Sequence, residues 1–474
     1  MPSLQEIVVD MLLIPMFKLT WWLIKLAFKI ATLPLRLLWK LFKMLRRRNA
    51  ETKETNPAPA NSLVSKERRG VVFGKCKKKY IIKPEEMDGH ILTVGGVGSG
   101  KSACIAIPTL RAWQSSVFAI DIKGELYNAT KEYCGNACVF NPLDDNAHGY
   151  DPYYFLRHST NPAQESRAIA ESIIPMPPDT KEPFWIESAQ SILTGAILHS
   201  YHEGYTFLET MQITQRTPPQ DLIRAISESG TAEAIYYINN FVDMDIKTLS
   251  GIVTEISRNI VPFVTDKHLI SCFSRKKRIT PALLERGTDI YIQIPEHLLR
   301  QWKPLLTLII NQFLTFFEQR DESTAAPILF LLDEFPRLGR IPAILDALAT
   351  LRSKKITICP IIQSLAQLDM IYGREAREVI ADTCAYTAIL SATDANTQDY
   401  FSRRVGTFEK VKSSDTDQYS PYIHARQGKA KGHTTEEKRI IKPEEFATLK
   451  NIVLLTPFGF CRAEKAPYYV EEKR

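Results

Sequence analysis

Residues 91–102 read Ile91-Leu92-Thr93-Val94-Gly95-Gly96-Val97-Gly98-Ser99-Gly100-Lys101-Ser102. The last eight fit the P-loop pattern G-x-x-x-x-G-K-[ST], and the four residues ahead of them predict a strand. A helix-capable stretch opens at Ser102, so strand, loop and helix stand in the order this motif needs. Backbone N–H groups from Gly95 through Gly96, Val97, Gly98, Ser99 and Gly100 are expected to wrap phosphate oxygens, with the positive end of a helix behind them. Lys101 would reach the β- and γ-phosphates of ATP, and the Ser102 hydroxyl would ligate Mg2+. A chance glycine turn is the competing reading, and the strand in front argues against it.

Around this loop, β-like runs at 117–120 and 137–140 alternate with helical stretches, a pattern that predicts an α/β fold with a parallel sheet and crossover helices. From about residue 153 to 265 strand character disappears. Helical periodicity at 163–174, 185–201, 217–229 and 231–241 predicts an all-α insertion. β-like runs resume at 290–294, 328–332, 356–360 and 385–390, so the sheet is split in sequence. Residues 411–438 are polar and strand-poor, and a mobile loop is expected there.

The run Ile328-Leu329-Phe330-Leu331-Leu332 ends in Asp333-Glu334. An apolar strand delivering two acids at its carboxyl end is the Walker B arrangement, and open parallel sheets place their sites at those ends. Asp333 would hold Mg2+ opposite Ser102. Glu334 would orient and help deprotonate an attacking water. A solvated acidic turn is the bland alternative, weakened by the P-loop in the same sheet. Asp121 also ends a strand-like run; it fits either support of the Mg2+ shell or a plain turn with Gly124. Gln363 follows the next run, where a polar group would sense the γ-phosphate. Arg352 lies between the two; in a ring it would reach a neighbour's site, and otherwise it belongs to a basic surface helix with Lys354 and Lys355. Basic clusters at 75–79 and 275–278 suit either a nucleic-acid track or solvated surface.

The chain has 474 residues, enough for two or three domains. Its formal charge of +7 is uneven: nine of the 60 Lys/Arg and two of the 53 Asp/Glu lie in residues 1–50, and the rest cancel. In that segment Lys18, Lys25, Lys29, Arg36, Lys40, Lys43 and Arg47 fall, at helical spacing, on a stripe roughly 60° wide. Its longest uncharged run, 11–17, is far short of the ~20 residues a spanning helix wants. A helix lying in the headgroup plane fits, with Trp21, Trp22 and Trp39 at interfacial depth. A spanning hairpin with snorkelling lysines and a buried bundle helix are the alternatives. Residues 49–66, with Pro57 and Pro59, read as a linker. Eight cysteines lie mostly in apolar runs without a CxxC pair, which predicts buried free thiols.

Taken in order, GGVGSGKS at 95–102, DIKGEL at 121–126, FNPL at 140–143, FWIESA at 184–189, LLDEFPRLGRIP at 331–342 and QSLAQL at 363–368 resemble the type IV secretion coupling proteins, the ring ATPases that feed conjugation channels. The resemblance runs from about residue 70 to the end. It implies a RecA-like P-loop NTPase domain (67–152 and 266–474) with an inserted all-α domain (153–265), a linker (49–66) and an N-terminal membrane-associated helical segment (1–48). It also implies a homohexamer at the cytoplasmic face of the bacterial inner membrane, with ATP and Mg2+ as ligands and catalytic roles for Lys101, Glu334, Arg352 and Gln363. Arg352 matches the trans-acting arginine, although Leu351 stands where a Gly is common. Gln363 matches the glutamine lining the nucleotide. Family members usually begin with two clear transmembrane helices, which this N-terminus does not show, and the chain ends soon after Tyr469 without a long acidic tail for partner docking. The expected function is to drive DNA, or a relaxase–DNA complex, toward the secretion-channel proteins. An ATP-switched receptor for protein effectors is the second reading, and a ring ATPase pumping chromosomal DNA ranks last.

Overall fold

The computed structural model describes residues 20–22, 42, 56–177, 180–322, 326–419 and 426–471. The chain divides into two compact units, Pro59–Thr407 with Ile441–Arg474, and Met1–Ala58 with Phe408–Ile440.

The larger unit is built on a twelve-stranded sheet. In chain order its strands are β1 (Val64–Ser65), β2 (Val71–Cys76), β3 (Lys79–Lys83), β4 (Ile91–Val94), β5 (Ser116–Ile120), β6 (Ala137–Phe140), β7 (Asp289–Ile292), β8 (Ile328–Leu332), β9 (Ile356–Ile362) and β10 (Tyr386–Ile389). After β11 (Thr407–Tyr419) and β12 (Arg426–Arg439), which pair only with each other, come β13 (Asn451–Thr456) and β14 (Gly459–Glu464). The order across the sheet is β1-β3-β2-β14-β13-β10-β4-β9-β8-β5-β7-β6. From β10 to β6 every neighbour is parallel. From β10 to β1 every neighbour is antiparallel. All five residues of β8 are buried with no in–out alternation, as a strand covered on both faces requires.

The P-loop leaves β4 and enters a π-helical turn, Ser102–Ala106, that continues as α1 (Ile107–Ala112). Single π-turns of this kind concentrate at functional sites. Cys104, Ile105, Ala106, Ile107 and Leu110 bury their side chains in the same apolar cluster as Val117, Leu329, Leu331 and Ile361, which ties the loop to the parallel strands. A short helix, α2 (Glu125–Thr130), follows β5. Between β6 and β7 the described backbone carries helices and no named strand. Its longest members are α3 (Pro162–Ile173), α4 (Pro183–His202) and α5 (Ile246–Thr265). Phe207, Phe263 and Phe273 pack ring to ring at 5.1–5.9 Å in this block. After β7, α6 (Leu299–Phe317) runs back beneath the sheet with Leu305, Leu308, Ile309 and Phe313 fully buried.

In the smaller unit, residues 411–438 differ from the expected mobile loop, because most of them belong to β11 and β12, strands of 13 and 14 residues. A polar sequence lacks an apolar stripe to mark it as strand, yet ladder hydrogen bonds between paired backbones need no apolar face. The membrane segment expected at 1–48 lies outside the described residues apart from 20–22 and 42, which are helical and exposed. No helix among the described residues is long and apolar enough to cross a membrane.

Candidate nucleotide site

Strands β4, β9 and β8 are consecutive and parallel, so their carboxyl ends open on one edge of the sheet. The P-loop follows β4, Gln363 follows β9, and Asp333-Glu334 follow β8. Gly95 donates its N–H to the Ile362 carbonyl (3.1 Å), and Gly96 donates to Ser391 Oγ (3.0 Å), which pins the loop at its start. Gly98 and Gly100 have φ of 72° and 95°, in the left-handed region that glycine enters without strain. Val97 at the tip is 89 % exposed.

Lys101 folds over this loop and donates to the carbonyls of Gly95 (2.7 Å) and Gly96 (3.3 Å). Burial lowers its pKa, and the Glu334 and Asp333 carboxylates pull it back up. Lys101 and the acid pair therefore share one electrostatic environment although 232 positions separate Lys101 from Asp333. Burial, then repulsion from Glu334, pushes the Asp333 carboxyl up to about 6, while the Glu334 N–H and Lys101 hold it down. Glu334 has φ of 50°, one of three positive-φ residues other than glycine among the described residues. Its Oε2 accepts from Gln363 Nε2 at 3.2 Å, and its backbone N–H donates to Asp333 Oδ1 at 3.0 Å. A strained acid fixed by neighbours on both sides suits a reacting group.

The loop fits a polyphosphate. Ser99 Oγ is buried with no hydrogen-bond partner among the described residues, the glycine backbone leaves room, and a lysine ammonium sits against it. A divalent ion fits less as a caged metal than as a bridge. Among the described residues no three His, Cys, Asp or Glu side chains cluster to hold one alone. Mg2+ is commonly held by one or two protein oxygens plus phosphates and water. Ser102 opens the helical turn after the P-loop, and Asp333 follows β8.

Asp121, for which the sequence fits either support of the Mg2+ shell or a plain turn, holds the turn and helix that follow it and also raises the pKa of the Asp333 carboxyl by its charge. Its two carboxylate oxygens accept the N–H groups of Leu126 (3.1 Å) and Tyr127 (2.8 Å), fastening the start of α2. Arg352 stands apart from the other candidates. It precedes β9 while Gln363 follows it, and seven strand residues put roughly 20 Å between the two ends. There it is exposed and lines a small cleft with Glu85 and Asp88. Two members of the cluster at 275–278 are engaged within the fold: Arg275 donates to the carbonyls of Asn141, Pro142, Ala147 and His148, and Arg278 pairs with Asp151 at 2.7 Å, while Lys276 and Lys277 are exposed. All eight cysteines are free thiols, six of them buried. Two residues near the loop carry no signal in the sequence. One is Ser391. The other is Lys465, which donates to the carbonyls of Ser99 (3.2 Å) and Leu390 (3.3 Å) from the end of β14. No local pattern marks either, because both arrive through strand pairing alone.

Residues 39–474 match the sequence family described as Type IV secretory system Conjugative DNA transfer. The chain belongs to this family. Among its relatives, Protein VirD4 of Rhizobium radiobacter is 27% identical over 427 residues, covering 85% of this chain and 60% of that protein. Conjugal transfer protein TraG of the same organism is 25% identical over 335 residues, 67% of this chain and 52% of that protein. The chain thus spans roughly 60% or less of the length of these two relatives. The bacterial conjugative coupling protein TrwBΔN70 has a similar fold, with a TM-score of 0.64 at 18% identity over 85% of this chain and 89% of that one. TrwB has been solved with the ATP analogue ADPNP, and with ADP and Mg2+. The α/β fold with a mixed sheet is therefore one that this chain shares with TrwB.

Proposed function

We propose that this chain is the ATP-hydrolysing coupling protein of a type IV secretion or conjugation system, driving DNA or a relaxase–DNA complex to the secretion channel. The observation that carries the proposal is the meeting of Lys101, Asp333, Glu334 and Gln363 at one edge of the parallel sheet. In this reading Gly95, Gly96, Val97, Gly98, Ser99 and Gly100 cradle the phosphates of ATP, and Lys101 leaves its carbonyl partners to neutralise the β- and γ-oxygens. Ser102 and Asp333 hold Mg2+, which supplies charge neutralisation when bound. Glu334 takes the proton of the attacking water, and Gln363, already bonded to Glu334, holds that carboxylate in line and reads the γ-phosphate.

Arg352, at the far end of β9, serves a neighbour's site, so the working form is a ring, taken as a homohexamer. Residues 153–265 act as an all-α domain inserted between the two parts of a RecA-like domain, 67–152 and 266–474. Residues 1–48 attach the assembly to the cytoplasmic face of the bacterial inner membrane, and 49–66 link them to the body. DNA transfer between cells tests the reading. K101A and E334Q are each expected to reduce transfer to background while the protein is still made. Transfer at the wild-type level with both variants would refute it. Stimulation of hydrolysis by DNA separates this motor from a receptor that uses ATP only as a switch.

A further inference from the structure

A cavity of about 1170 Å3 lies outside the nucleotide site, between the helical block and the first turns of α6. Small-molecule pockets run to roughly 300–1,000 Å3, so its size suits a length of polymer. Arg258, Arg300 and Lys303 line it with His297, Gln301 and Asn259. Its acids are already engaged. Glu255 pairs with Arg258 at 3.5 Å, and Glu182 accepts the Trp185 indole N–H at 3.1 Å. Arg300 and Lys303 have no ion pair among the described residues. The Trp185 ring lies against Gly251, where a Cβ would come within 2.9 Å of it, and 37 % of the residue remains open to solvent beside Phe184, 47 % exposed. Unpaired cations next to an open aromatic ring are what a single strand of nucleic acid uses: charge for its backbone and a face for its bases. An acidic peptide would use the cations and leave the rings idle.

The same wall holds the Walker B segment. Lys303 lies over Gly339, where a Cβ would stand 1.8 Å from Lys303 Cε, and Thr307 Oγ1 donates to the Leu338 carbonyl (3.4 Å). Glu296, one residue before His297, pairs with Arg337 at 2.6 Å. Arg337 in turn donates its backbone N–H to the Glu334 carbonyl at 2.8 Å. A ligand that moves Lys303 or the start of α6 therefore acts on the segment that fixes Glu334.

We propose that this cleft binds single-stranded DNA, with Arg300 and Lys303 on its phosphates and Trp185 under a base, and that occupancy is felt at Glu334 through Lys303, Gly339 and Arg337. The inference rests on the transport reading above and deepens it by placing the strand.

The test uses the full chain, a fluorescein-labelled oligothymidylate and a poly-glutamate peptide as probes, with binding read by anisotropy over a salt series. R300Q combined with K303M is expected to weaken oligonucleotide binding about tenfold and to lower the slope of log K against log salt by about 1.4, at ~0.7 for each phosphate no longer neutralised. W185A is expected to weaken binding and W185F to restore most of it, which loss of local structure would not allow. Should the double variant fail to fold, as its thermal midpoint would show, R300E at an exposed position carries the test alone with a larger loss. Oligonucleotide affinity and salt slope unchanged from wild type would overturn the proposal. So would variants that lose the peptide and keep the oligonucleotide. ATP hydrolysis that disappears in K101A leaves the transport reading standing in either case, so the two can fail separately.

Discussion

At the scale of single residues, the centre of the site is a glutamate in an unusual backbone state. The left-handed conformation costs a residue with a β-carbon about 1–2 kcal/mol. Glu334 keeps it because Gln363 holds its carboxylate and Arg337 its carbonyl. Replacing Gln363 with Ala is expected to slow ATP hydrolysis roughly 10- to 100-fold, as for a group that positions a general base, with little change in ATP affinity. Steady-state turnover and nucleotide titration would check both halves. A tenfold loss of affinity at unchanged turnover would assign Gln363 to binding alone. Asp333 and Glu334 were legible because two acids after five apolar residues are conspicuous. The strain at Glu334 was not, since φ is set by what surrounds the turn.

A second residue gives a pH signature away from the nucleotide. Asp289 Oδ1 accepts the Val117 N–H at 2.9 Å, yet burial dominates and pushes the carboxyl up to about 6. Because the folded state then binds this proton more tightly than the unfolded chain, Asp289 favours the fold most below about pH 4. That contribution is lost as pH rises to about 6, on the order of 2–3 kcal/mol. Asp289→Asn removes the charge. The stability difference between variant and wild type, from urea unfolding, is expected to grow in the variant's favour between pH 4 and 6.5. A difference independent of pH would contradict it.

At the scale of elements, the parallel half of the sheet was written locally and the antiparallel half was not. Runs at 91–94 and 328–332 coincide with β4 and β8 because strands buried on both faces are continuous apolar segments, and the run at 137–140 coincides with the edge strand β6. β13 and β14 cross the sequence to meet β10 and β2, and pairing over such separations leaves no local trace. The ribbon of β11 and β12 was missed for the opposite reason: its polar sequence carries no periodic signal. Asp121 shows how one element depends on one side chain. With both oxygens accepting N–H groups at the start of α2, Asp121→Ala is expected to destabilise the fold by about 1–2 kcal/mol, as loss of a helix cap does. Thermal or urea denaturation would measure it, and an unchanged midpoint would show that α2 holds without it.

At the scale of the whole molecule, Arg352 tests whether several chains work together. Its position at the amino end of β9, with the P-loop at the other edge, leaves it no part in its own site. If it completes a neighbour's site, K101A and R352A are each inactive alone, yet mixed in equal amounts they rebuild a fraction of intact interfaces, roughly a quarter in a ring with random order. ATPase activity recovered on mixing is the expected result, and none would place Arg352 on an ordinary basic surface. The most direct test of the central claim is the Mg2+-dependent ATP hydrolysis rate of the purified chain with and without single-stranded DNA, compared with E334Q. Wild type is expected to hydrolyse ATP faster with DNA present, while E334Q still binds ATP and hydrolyses it at background. Hydrolysis by E334Q at the wild-type rate would contradict the claim that these converging strand ends form the engine.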